Sequence, residues 1–155
     1  MERLQLPVNY GYLVRLVGHL SGLSHLRATQ LFTEALDEIK LTPKQAIALE
    51  FIAHNPTDSQ KEIANHIGTT PTVMVGVLDA LTRQGLVERV RSNIDRRRHS
   101  VKLTETGEAI RQKIKDAAFF VEEQLFAESN LSAEEWEHLI HLMRKLTNRE
   151  DEISD

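Results

Sequence analysis

Three consecutive arginines, Arg96, Arg97 and Arg98, follow Asp95 and are flanked by Arg91 and Lys102. A guanidinium is planar, permanently charged and donates hydrogen bonds in a fixed fork. A cluster of them therefore suits phosphate oxygens and the electronegative floor of a narrow minor groove in duplex DNA. An aspartate two residues from Arg97 can hold that guanidinium in one orientation, which lowers the entropy lost on docking. The same pair can equally be a loop ion pair worth about 0–1 kcal/mol, and the pattern alone leaves both readings open.

Other chemistries are poorly served. Asp95, His99 and Ser100 are the residue types of a catalytic triad, but neighbouring strand residues point to opposite faces and cannot be aimed at each other. The chain also lacks a nucleophile elbow, a phosphate loop and a paired-carboxylate cleft, so no enzyme is expected. Cysteine is absent, which excludes disulfides, thiolate metal sites and thiol redox sensing. His138 and His141 stand at i, i+3 near Glu134 and Glu137 and could chelate on a helix, while the other five histidines are scattered. Neither a metal nor a cofactor is expected.

A formal charge of -4 argues against a nucleic-acid binder until its distribution is considered. Residues 83–102 carry seven Lys/Arg and two Asp/Glu, a net +5, whereas residues 103–155 carry six and thirteen, a net -7. Phosphate attraction is local, because exposed charges are screened beyond about 8–10 Å at physiological salt. One basic patch on an acidic body can both bind DNA and aim it. The N-terminus has no secretory pattern and no apolar run is long enough to span a bilayer, so a soluble cytoplasmic protein is expected.

The elements that must carry these residues can be read from caps and periodicity. Apolar residues recur at three and four over residues 10–39, which predicts one long first helix. Thr42-Pro43-Lys44-Gln45 opens a second helix from Pro43 to about Ala53. Ser59-Gln60-Lys61-Glu62 is another capping box, opening a short helix that stops at Gly68, and Thr70-Pro71 starts a fourth that runs to Gly85. Two short helices across a tight turn form a helix-turn-helix, whose second helix can enter a major groove. Residues 86–91 and 99–103 alternate as a pair of strands around the arginine loop, which makes that loop a wing. Thr104 and Ser132 cap two further helices, and the acidic end, residues 150–155, reads as frayed.

With these elements in place, the chain resembles the multiple antibiotic resistance regulator (MarR) family over nearly its whole length. The family's wing signature is met by Asp95, Arg97, Leu103, Thr104 and Gly107. Gln60-Lys61-Glu62-Ile63-Ala64 matches the first helix-turn-helix element, and Leu78-Asp79-Ala80-Leu81 with Gly85-Leu86-Val87-Glu88-Arg89 matches the end of the recognition helix and the strand after it. The resemblance implies a mainly α fold, a winged helix-turn-helix of about six helices and a two-stranded wing. Residues 1–40 and 104–149 would form a helical dimerisation lobe and residues 41–103 the DNA-binding module. It further implies a homodimer on a pseudo-palindromic operator of double-stranded DNA, repression as the sign of regulation, and release by a small effector, an aromatic acid or a thioester. A dimer would also cover the apolar stripes that three long helices leave exposed.

The expected DNA-facing residues are Ser59, Gln60 and Lys61, then Thr70, Pro71, Thr72, Val73, Val75 and Gly76 of the fourth helix, and Arg91, Asp95, Arg96, Arg97, Arg98 and Lys102 of the wing. Family members usually carry polar or basic residues in the middle of the fourth helix. Here Met74, Val77 and Leu78 are expected in the core, and the outer face cannot form an arginine-to-guanine fork, although threonine and valine can pack on thymine methyls. Tyr12, Arg15 and His19, at i, i+3 and i+7, offer a ring, a cation and a donor to an aromatic acid, with Phe51 as an opposing wall; the alternative is a solvated face. The rival to DNA binding is a winged helix whose apolar fourth helix docks a protein partner.

Overall fold

In the computed structural model, which describes residues 9–91 and 99–149, local sequence signals set most of the element boundaries. A 3-10 turn, Gly11–Arg15, precedes α1 (Val17–Ala35), and a second short 3-10 turn, Asp37–Ile39, follows it. Then come α2 (Pro43–His54), α3 (Gln60–His66), α4 (Pro71–Arg83), β1 (Val87–Arg91), β2 (His99–Leu103), α5 (Glu105–Glu128) and α6 (Ala133–Leu146). The expected class, mainly helical with a two-stranded antiparallel wing, is the one observed. Among the described residues, no helix is long and apolar enough to cross a membrane.

The single long helix expected over residues 10–39 is not there. Leu16 is extended, with φ -101 and ψ 114, and separates the first 3-10 turn from α1. At the other end the helix tightens after Leu36, and Lys40 turns left-handed with φ 57, sending the buried Leu41 into the cap of α2. The break has a direct consequence for Tyr12, Arg15 and His19. They do not share one face of a continuous helix, because an extended residue stands between Arg15 and the start of α1.

The capping boxes are all formed. The hydroxyl groups of Thr42, Ser59 and Ser132 accept from the backbone N–H three residues on, and Gln45, Glu62 and Glu135 reach back to the cap N–H. Each satisfies two donors that a helix start would otherwise leave orphaned. The buried core lies beneath the helix-turn-helix: Leu49 and Ile52 from α2, Ile63 from α3, Met74, Leu78 and Leu81 from α4, Val87 and Val101 from the strands and Ile114 from α5. Val87 pairs with Leu103 and Arg89 with Val101, so the inner face of the hairpin closes this core. A one-residue bridge between Ser59 and Ser100 ties the start of α3 to the wing.

The α5 helix begins at a close junction. Thr104 caps it through the Gly107 N–H at 3.0 Å and donates its hydroxyl to the Gly85 carbonyl at 2.6 Å, and its N–H donates to the Leu86 carbonyl at 3.1 Å. Gly85, with φ +70, is the turn that ends α4. Farther along, α5 packs against α1, and Glu128 accepts from Arg27 Nε at 2.9 Å. That hydrogen bond is the main reason the Glu128 carboxyl lies below the ordinary carboxylate range. A depressed acid favours the fold at neutral pH and stops doing so as pH falls through its folded-state value. Here both partners are on the surface and the effect is small.

Candidate nucleic-acid interface

The helix-turn-helix is built from short-range bonds. The Thr69 N–H donates to the Ala64 carbonyl at 2.9 Å, closing the turn after α3, and Gly68 adopts φ +69 within it. Thr70 then accepts from the Val73 N–H at 3.3 Å and starts α4. Met74, Leu78 and Leu81 are wholly buried, which fixes the rotation of α4 about its axis. Thr70, Pro71, Thr72, Val73, Val75 and Gly76 are all exposed, as expected for a helix that turns this face outward. Lys61 is exposed, Gln60 is half-buried, and the Ser59 hydroxyl is committed to its cap.

The hairpin places Lys102 opposite Glu88 and leaves both exposed. Arg91 lies at the end of β1 by its backbone. Asp95, Arg96, Arg97 and Arg98, the cationic tip inferred from the sequence, lie outside the described residues.

Two features near this surface have no local sequence signal. Arg89 of β1 reaches across to Asp79 of α4 at 2.5 Å, so the acid on the outer face of the helix is neutralised and the wing strand is joined to it. Lys44 of α2 brings its ammonium to the Thr69 hydroxyl at 3.4 Å, adding a cation beside the turn. Both contacts join residues whose proximity is a product of the fold; ten and twenty-five residues separate the partners.

Around the first helix, the aromatic neighbour of His19 is Tyr10, with ring centroids 6.2 Å apart, whereas Tyr12 is 73% exposed. The buried His19 Nε2 has no hydrogen-bond partner among the described residues. Phe51 stacks on His66 of α3 at 5.2 Å. His138 and His141 lie with ring centroids 6.3 Å apart on α6. Among the described residues no three His, Asp or Glu groups converge as a metal site would require.

A second exposed surface is apolar. Leu16, Val17, Leu20, Leu23 and Leu26 project from the first helix and the residue before it, Phe119 and Phe120 from α5, and Leu139, Leu142, Met143 and Leu146 from α6. The α6 helix is tied to α5 by the Phe126 and Trp136 rings, 5.5 Å apart, and carries no wholly buried residue.

Known proteins share this arrangement. A family model described as MarR family matches residues 39–98. The transcriptional regulator HosA of Escherichia coli O157:H7 is 32% identical over 108 residues, covering 70% of this chain and 78% of that protein. The transcriptional repressor NicR of Pseudomonas putida is 26% identical over 135 residues, covering 87% and 84%. The structure of the transcriptional repressor CouR bound to a 23-mer DNA duplex superposes with a TM-score of 0.80 at 30% identity, covering 92% of this chain and 99% of that one. With its helix-turn-helix, wing strands and flanking helices in the same order, this chain belongs to the MarR family of winged-helix transcriptional regulators.

Proposed function

We propose that the chain is a cytoplasmic repressor that acts by binding, not catalysis, and that two copies grip a pseudo-palindromic operator. The observation that carries this reading is the outer face of α4, exposed from Thr70 to Gly76 as the second element of a helix-turn-helix. The relative CouR, at 30% identity, was solved on duplex DNA, which supports the same use here. In this reading α4 lies in the major groove with Ser59, Gln60 and Lys61 near the backbone. The wing, residues 92–98 with Arg91 and Lys102, reaches the adjacent minor groove and phosphates. Arg97 enters the minor groove, oriented by Asp95, while Arg96 and Arg98 meet phosphates.

The division of labour follows the same reading. Residues 41–103 bind DNA, and residues 1–40 with 104–149 hold the dimer through the apolar surfaces of α1, α5 and α6. Substituting the wing separates its two roles. Arg97→Ala should weaken operator binding by about 1–3 kcal/mol, and Arg96→Ala should flatten the log-log salt dependence by about one unit. Unchanged affinity in both variants would remove the wing from the mechanism.

Release by a small aromatic acid is the regulatory part of the proposal. Arg15 supplies the cation for its carboxylate, and His19, whose buried Nε2 has no hydrogen-bond partner among the described residues, supplies a donor beside the Tyr10 ring. In a thermal-shift series of aromatic acids, an effector should raise the melting temperature and lower operator affinity in the same concentration range. An Arg15→Ala variant that keeps both responses would exclude Arg15 from the site.

A further inference from the structure

The outer face of α4 is made of residues that its own fold does not require. A helix advances about 100° per residue, so Met74, Val77, Leu78 and Leu81 form the inward stripe. Thr72, Gly76, Asp79 and Arg83 form the stripe opposite, with Val73 and Val75 on its two shoulders. Val73 is 44% exposed and Val75 is 42% exposed, although β-branched residues are indifferent helix formers and gain nothing from water. Gly76 is the weakest helix former after proline, and a Cβ built there meets nothing within 4 Å. Nothing packs closely enough to demand glycine, and its backbone angles are those of an ordinary helix. Three unfavourable choices for a helix thus coincide on one exposed surface.

The chemistry of that surface is specific. Its two charges lie toward the C-terminal half: Asp79 pairs with Arg89 at 2.5 Å, and Arg83 stands at the far end of the helix, its Nε donating to the Asp79 carbonyl at 3.4 Å. The N-terminal half of α4 itself, residues 71–77, carries no arginine to fork onto a guanine. What remains there is methyl groups and a hydroxyl. The major groove presents one apolar group, the C5-methyl of thymine, and that is the group this surface complements. A glycine between the two valine shoulders lets the helix sit closer to the base edges than any side chain would.

We propose that α4 reads its half-site through thymine methyl groups, packed against Thr72, Val73 and Val75, with Gly76 at the point of closest approach to the bases. This rests on the DNA-binding reading above. The test uses the full chain and duplexes selected by it from a random pool. In the selected duplex, deoxyuridine then replaces thymidine one position at a time, which deletes a methyl and leaves every hydrogen-bonding edge intact. At two or more positions in each half-site the affinity should fall about 4-fold, the transfer free energy of one buried methyl.

Val75→Ala should shrink that penalty at one of these positions and leave the others as they were. An effect of the methyl on DNA shape would not respond to a side chain in this way. Gly76→Ala should raise the melting temperature, because alanine favours the helix, and at the same time weaken operator binding about tenfold. Uridine substitution without effect at every position overturns the inference while DNA binding stands, as do penalties that Val75→Ala leaves unchanged or a Gly76→Ala protein of full affinity. Failure of the chain to enrich any sequence overturns the DNA-binding reading itself, and with it this inference; retention of a protein partner lost on Val75→Ala would then assign the face to protein docking.

Discussion

Alanine at position 107 should destabilise the protein by about 3 kcal/mol, the upper part of the range for overpacking a tight site. A Cβ there would lie 2.0 Å from the Leu86 carbonyl oxygen and 3.0 Å from its carbon, so the clash is with backbone and no side chain can swing aside to relieve it. The Leu86 oxygen is itself held, because it accepts from the Thr104 N–H. Separating the two segments would stretch that bond and the Thr104 hydroxyl bond to Gly85 together, detaching the start of α5 from the end of α4. The expected result is a urea midpoint shifted far down with a similar slope, since the surface exposed on unfolding is unchanged. A midpoint near that of the parent would show that the junction is not rigid. Glycine is needed here for space, not for backbone conformation, since Gly107 sits inside α5 without a positive φ.

Leu142→Glu should dissociate the proposed dimer and lower operator affinity at least a hundredfold, within the ~10²–10⁴ that joining two half-sites gives by effective concentration. Leu142 is 47% exposed on a helix with no wholly buried residue, so a charge there leaves the core of the chain intact. Buried at an apolar seam, the same charge would be costly to desolvate. Sedimentation should report a folded monomer with parent-like helicity, and gel shifts should show only weak, salt-sensitive binding. A Leu142→Glu protein that remains dimeric and binds as before would place the dimer contact on another surface.

Much of this was legible from neighbouring residues, for an identifiable reason. The capping boxes at Thr42, Ser59 and Ser132 act over three residues, so the sequence contains both partners of each bond. The inward stripe of α4 follows from helical period, and Met74, Leu78 and Leu81 are buried as that period requires. The signature Leu103, Thr104 and Gly107 marked where α5 begins, but its cause, the Leu86 carbonyl against Gly107, needs the fold. The break at Leu16 was not visible, because leucine is a good helix former and the apolar spacing continues through it. Reading one helix there placed Tyr12 with His19, where the structure puts Tyr10. The Asp79–Arg89 pair was out of reach for a related reason: it depends on how the wing folds back over α4, which no local pattern specifies.

The most direct measurement of the central claim is selection of bound duplexes from a random pool, followed by the mass of the selected complex. Two chains on one duplex, with an inverted repeat whose half-site centres lie about one helical turn or a multiple of it apart, is the predicted result. An unenriched pool, or a single half-site occupied by one chain, would contradict it.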